Sequence, residues 1–96
     1  MKEGSFYICT EDCEAYLVDG YVDDDIGVWQ RNRLNWTATH LETGRNITPK
    51  SSKHQTPEDA LREGRELIAK RKDYVNSVLE TESHRAFVKS RLEQTR

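Results

Sequence analysis

The chain has 96 residues, 33% charged and 34% hydrophobic, with a formal net charge of −2. That length suits one domain (1–96) with a thin core and excludes two. No apolar run approaches the roughly 20 residues of a membrane span, and the opening MKEGSFYICTEDCE has acids where a secretory leader has its apolar stretch.

Cys9 and Cys13 are the only cysteines, too few for the disulfide framework of a small secreted domain. The expectation is therefore a cytoplasmic protein with reduced thiols. Charge is divided unevenly. Residues 1–30 set one lysine against eight acids, a net of −7, whereas residues 31–96 carry fourteen basic and nine acidic side chains, a net of +5. Such a division lets the two parts pair with each other or face two partners.

In chain order, Phe6 to Thr10 is a short β-favouring run, and Ala15 to Val22 follows with Tyr16, Val18, Gly20 and Val22 on one phase. Asp23, Asp24 and Asp25 supply a turn, because aspartate bonds to its own backbone there. Ile26 to Gln30 resumes the extended pattern. Leu34, Trp36, Ala38 and His40 then alternate with Asn35, Thr37 and Thr39, the signature of a half-buried strand with Trp36 as core anchor. Thr43-Gly44 predicts a hairpin turn, with Arg45 to Thr48 returning antiparallel and Ile47 inward. Residues 1–48 thus form the sheet, and the polar stretch 49–55 is a linker.

Residues 56–96 read as the helical part. Thr56 is a good N-cap, Pro57 suits the first helical position, and Glu58 and Asp59 place negative charge on the first turn. Ala60, Leu61, Gly64, Leu67, Ile68, Arg71, Tyr74, Val75, Val78 and Leu79 recur at helical spacing, predicting one helix over 57–80. Leu61, Leu67 and Ile68 should meet the sheet with Trp36 among their contacts. Continued to residue 95 the helix would be about 58 Å long, more than a small sheet covers, so a bend near Thr81 to Ser83 is expected. The fold class is α+β: an antiparallel three- to four-stranded sheet covered by a long C-terminal helix, with a second short helix beyond the bend.

Sites come next. Cys9, Cys13, His40, His54 and His84 are the metal-ligand types present, but only one pair has zinc-like spacing, so no metal and no cofactor are expected. No phosphate loop, zinc-protease helix or nucleophile elbow occurs, and a non-enzymatic protein is expected. Three surfaces compete for a partner. Lys70, Arg71, Lys72, Tyr74, Val78, Leu79, Phe87 and Leu92 form a basic-rimmed apolar surface suited to a protein, most simply a second copy of the chain. Asp19, Asp23, Asp24 and Asp25 offer an acidic surface that could imitate phosphates. Arg31, Arg33 and Arg45 flank the tryptophan strand and suit nucleic acid, a lesser expectation at this net charge.

The hairpin pattern Trp36, Thr39, His40, Thr43, Gly44 ahead of a helix resembles small phage and mobile-element accessory proteins over residues 28–70. That resemblance implies a protein that binds and redirects another. The same stretch resembles the three-strand-plus-helix arm domain of phage integrases, which implies DNA binding, although the strands here lack a dense basic face.

Overall fold

The structure, a computed structural model, describes residues 1–94. The last two residues of the predicted helical part lie outside the described residues. Strands β1 (Lys2–Cys9), β2 (Ala15–Asp23), β3 (Ile26–Asn32) and β4 (Asn35–His40) form one antiparallel sheet in chain order. A 3₁₀ turn at Lys50–Ser52 precedes three helices, α1 (Pro57–Lys70), α2 (Lys72–Leu79) and α3 (Glu82–Gln94). The α+β class with an antiparallel sheet holds.

Local chemistry makes the turns. Asp24 takes φ 55° between β2 and β3, a left-handed conformation that aspartate tolerates better than most residues. Between β3 and β4 the Asn32 side-chain oxygen accepts from Leu34 N–H at 2.9 Å. That Asx-type turn expels Leu34, which is 64% exposed rather than inward-facing as its strand phase suggests.

The sheet is buried on both faces at β4. Ala38 and His40 lie on the helix side, and Thr37 and Thr39 on the other, all of them buried. The reason is curvature. Before Gly20, from Ala15 to Asp19, β2 pairs only with β1, and this hairpin swings across until the Cys9 N–H donates to the Gly44 carbonyl at 2.7 Å. The Phe6 ring then sits over Gly27, on the face that carries Thr37 and Thr39. The alternation of β4 therefore separates two interiors, not an interior from solvent.

On the opposite face α1 seats at small residues. Thr56 caps it, accepting from Asp59 N–H at 3.2 Å. Ala60 and Gly64 are its buried positions, and a Cβ on Gly64 would lie 2.7 Å from the Ala38 Cβ. Ile26, Val28, Ala38 and Ala60 make the core, with Tyr21, Trp36, Leu61 and Ile68 packed around it. Trp36 is half-buried, as are Leu61, Leu67 and Ile68. The anchoring role expected of these large side chains falls to small ones, because a helix this close pushes large neighbours to its flanks.

The single helix over 57–80 is not what forms. It breaks at Arg71, at φ −121° and ψ 30°, whose N–H turns back three residues to the Ile68 carbonyl at 3.1 Å. A straight continuation would carry Val75 and Val78 past the end of the sheet. The break folds them onto the 41–47 turn instead, and Val78 is only 5% exposed. A second break follows where the sequence places one, the Thr81 hydroxyl accepting from His84 N–H at 3.2 Å to cap α3.

The long C-terminal helix is thus replaced by three short ones. α3 docks by Phe87, which is fully buried against Gly44. Gly44 has φ 70°, and a Cβ there would lie 2.4 Å from the ring. Ser90 accepts from Ala15 N–H at 3.0 Å, and the Gln94 amide donates to the Ala15 carbonyl.

Two substitutions test this packing. Gly64→Ala gains up to about 1 kcal/mol of helix propensity, but its methyl overpacks Ala38 at a cost of about 1–3 kcal/mol. Urea unfolding should show a net loss, and a gain would mean that α1 stands off the sheet. Phe87→Ala should lose about 3–5 kcal/mol, the range for emptying a buried aromatic site. A loss within the surface range of about 0.5 kcal/mol would undock α3.

Candidate binding cleft

The turn after Trp36–His40 forms, but Arg45 to Thr48 does not return as a strand: the sheet ends at His40, and beyond it only an isolated bridge joins Thr39 to Asn46. Ile47 N–H donates to Ala38 O at 2.7 Å, and His40 N–H to Arg45 O at 2.9 Å. The Thr43 hydroxyl accepts from Arg45 N–H at 3.2 Å and lies 3.1 Å from His40 Nδ1. His40 Nε2 is 3.7 Å from the Asp25 carboxylate. Histidine, threonine and glycine together fix a turn against which α2 and α3 close.

Where that turn meets the α1–α2 break lies a cavity of about 200 Å³. Its apolar wall comes from Ile47, Leu67, Ile68, Val75 and Val78, and Arg45, Arg71 and His40 also line it. Among the described residues no carboxylate lines it. Neither arginine makes an ion pair among the described residues, whereas Arg62 pairs with Asp59 and Arg65 with Asp23 at 2.6 Å. Positive charge thus stands unanswered beside an apolar hollow.

The expected protein-binding residues divide. Lys70, Arg71 and Lys72 are exposed at the helix break, and Tyr74 is 56% exposed beside them. Val78 and Phe87 are interior, enclosed by the chain's own turn, and Leu79 is half-buried. Leu92, on α3, lines a separate open groove with His84 and Val88. The structure therefore joins Arg71, Tyr74 and Val78 to Arg45 at one cavity and leaves Leu92 elsewhere. Arg45, assigned from sequence to a nucleic-acid set, belongs with the helix break. No local signal in the sequence linked it to that break, because the two meet only through the fold.

The other two surfaces are less coherent. Arg31 lies over the Trp29 ring at 5.4 Å, and Arg33 occupies the β3–β4 turn. Arg45 follows the far end of β4, six residues of strand away, or about 20 Å. Of the aspartates, Asp23 and Asp24 hold Arg65, and Asp19 accepts from the Ser5 hydroxyl at 2.5 Å. These carboxylates work largely within the fold. Near Asp19 an open groove runs past Tyr21 and Trp36, whose rings are 5.9 Å apart.

The nucleophile types are quiet. Burial pushes the Cys9 thiol up, against a smaller opposing effect of Arg45, and its sulfur lies 3.4 Å from the Thr10 carbonyl. Burial, with Arg91 and Arg45 adding to it, holds His84 below the usual imidazole value, and its Nδ1 is buried without a hydrogen-bond partner. Among the described residues no three His, Cys, Asp or Glu side chains converge as a metal ligand set. No helix among them is long and apolar enough to cross a membrane.

A cluster not foreseen from sequence is Ser52, His54 and Glu63. The Ser52 hydroxyl donates to Glu63 Oε1 at 2.8 Å, and His54 Nε2 lies 3.2 Å from the same oxygen. Serine and histidine share one acceptor here, so the trio clamps the 49–55 segment to α1. No protein-family model, curated protein or solved structure matches the chain.

The clamp has a pH signature. The Ser52 hydrogen bond, aided by His54, holds the Glu63 carboxyl below its ordinary value despite an opposing effect of burial. A depressed folded value means stability that is present above the unfolded pKa of about 4.3 and is lost as pH falls through the folded value. The gap in urea midpoint between wild type and Glu63→Gln should be full at neutral pH and shrink in acid. A gap that grows on acidification would refute the assignment.

Proposed function

We propose that this chain is a non-enzymatic intracellular binding module that holds a protein partner at the cleft between the 41–47 turn and the α1–α2 break. One observation carries the reading: among the described residues, two arginines without ion pairs line an apolar cavity at an exposed basic bend, and no carboxylate lines it. Clefts that combine apolar walls with a few polar groups are where ligands anchor.

The non-enzymatic reading draws on the Ser52–Glu63–His54 geometry and on the raised Cys9 thiol, neither of which suits nucleophilic catalysis. A binding role is also what the resemblance to phage-type accessory proteins implies. Self-association through the C-terminal helix is not part of the proposal, because Phe87 is enclosed within the chain.

The test uses the full chain with Arg45→Glu and Arg71→Glu, and Arg85→Glu on α3 as control. The two cleft variants should lose the protein retained by wild type, and the control should keep it. Retention that ignores Arg71 would remove the cleft from the function. Retardation of duplex DNA that falls steeply with salt and disappears in the cleft variants would replace this reading with a nucleic-acid module.

A further inference from the structure

We propose that the cleft receives an acidic peptide segment of the partner, with one large apolar side chain in the cavity and its neighbouring carboxylates on Arg45 and Arg71. The inference rests on the binding reading above and names the chemistry that the cleft selects.

Size decides first. Sites for drug-sized ligands and cofactors run to about 300–1,000 Å³, and this cavity has about 200 Å³. An apolar cavity of about 150 Å³ accommodates benzene. The space here therefore suits one leucine- or phenylalanine-sized side chain and is too small for a cofactor. Ile47, Leu67, Ile68, Val75 and Val78 supply the apolar contacts that such a side chain requires.

Charge decides second. The other arginines show what this fold does with guanidinium groups. Arg62 and Arg65 hold aspartates, Arg31 and Arg91 lie over the Trp29 and Phe87 rings, and Arg33 and Arg85 are exposed with neither contact. Among the described residues Arg45 and Arg71 also have neither, and what sets them apart is that both line the same apolar cavity. The nearby Asp25 carboxylate faces His40. Lys70 and Lys72 flank Arg71 in the chain and are exposed, which extends positive potential along the path of a peptide. Carboxylates on both sides of an apolar anchor complement this layout. A neutral peptide would leave the arginines unanswered, and a basic one would be repelled.

The probe is a fluorescein-labelled peptide with one leucine between pairs of glutamates, acetylated and amidated at its ends and read by fluorescence polarisation against the full chain. Binding should be saturable and weaken with salt. Leucine→alanine and all glutamates→glutamine should each weaken it by about tenfold or more, and Arg45→Gln and Arg71→Gln by up to about fivefold each, with Arg85→Gln unchanged. Val75→Phe, which fills the cavity and leaves both arginines, should also weaken it. Unchanged urea midpoints establish that the arginine variants are folded. Equal affinity for the glutamine peptide, or for Arg71→Gln, would overturn the proposal. Self-association that disappears in Arg71→Gln would also overturn it, assigning the cleft to a second copy of the chain. If no peptide binds while partner retention still depends on Arg71, the peptide chemistry fails and the binding reading stands. Retention that is independent of Arg71 takes both.

Discussion

The rest of the molecule depends on how closely α1 approaches β4. Gly64 lies against Ala38 with no room for a Cβ between them, and Ala60 is enclosed beside them. This contact fixes where the helix axis runs, and hence where the helix leaves the sheet. Past Ile68 there is no more sheet to cover Val75 and Val78, and the backbone breaks at Arg71 to return them to the 41–47 turn. The cavity is what that return leaves unfilled, between a helix held close and a turn held by His40 and Thr43. Each large side chain around it is placed by the small ones beneath α1.

The same turn organises the other end. Gly44 receives Phe87 on one side and holds the end of β1 through the Cys9 N–H. One residue at positive φ therefore couples the curled β-hairpin, the tryptophan strand and α3. The polar interior around the returning chain is satisfied locally. The Trp29 indole donates to the Thr39 hydroxyl at 2.9 Å, which donates on to Asn46 at 2.6 Å, and the Thr48 hydroxyl accepts from Ala38 N–H at 3.0 Å. An unpartnered buried hydroxyl would cost about 1–3 kcal/mol, so these threonines belong inside only because the chain returns beside them.

The contrast explains what the sequence revealed. Thr56 and Pro57 announce the start of α1 because capping is local chemistry, and Asp23 to Asp25 announce their turn for the same reason. Thr81 marks the start of α3 likewise. The break at Arg71 has no glycine or proline to announce it, since it arises from the length of the sheet beneath the helix. Thr37 and Thr39 look like a solvent face because strand alternation cannot say whether a second layer covers it. Leu34 looks inward because its phase is right, and a turn places it outside. Of the cleft, the basic bend and Tyr74 were legible. The contribution of Arg45 was not, because it comes from a different element and meets Arg71 only after both breaks have formed.

The cavity also sets a scale for recognition. Burying one leucine-sized side chain contributes about 1.5–3 kcal/mol, and each exposed carboxylate–arginine pair adds at most about 1 kcal/mol. Association costs at least about 4 kcal/mol in lost translational and rotational freedom. The anchor and its flanking ion pairs therefore give only weak binding on their own, and supply selectivity more than affinity. On the proposed mode, tighter binding requires more surface next to the anchor. That surface cannot include Val78 or Phe87, which the fold already encloses. It has to come from the exposed bend, where Tyr74 offers a large ring with a hydroxyl and Lys70 and Lys72 offer charge. A partner that binds strongly should thus extend along α2 from the cavity, rather than across the sheet toward Arg31 and Arg33.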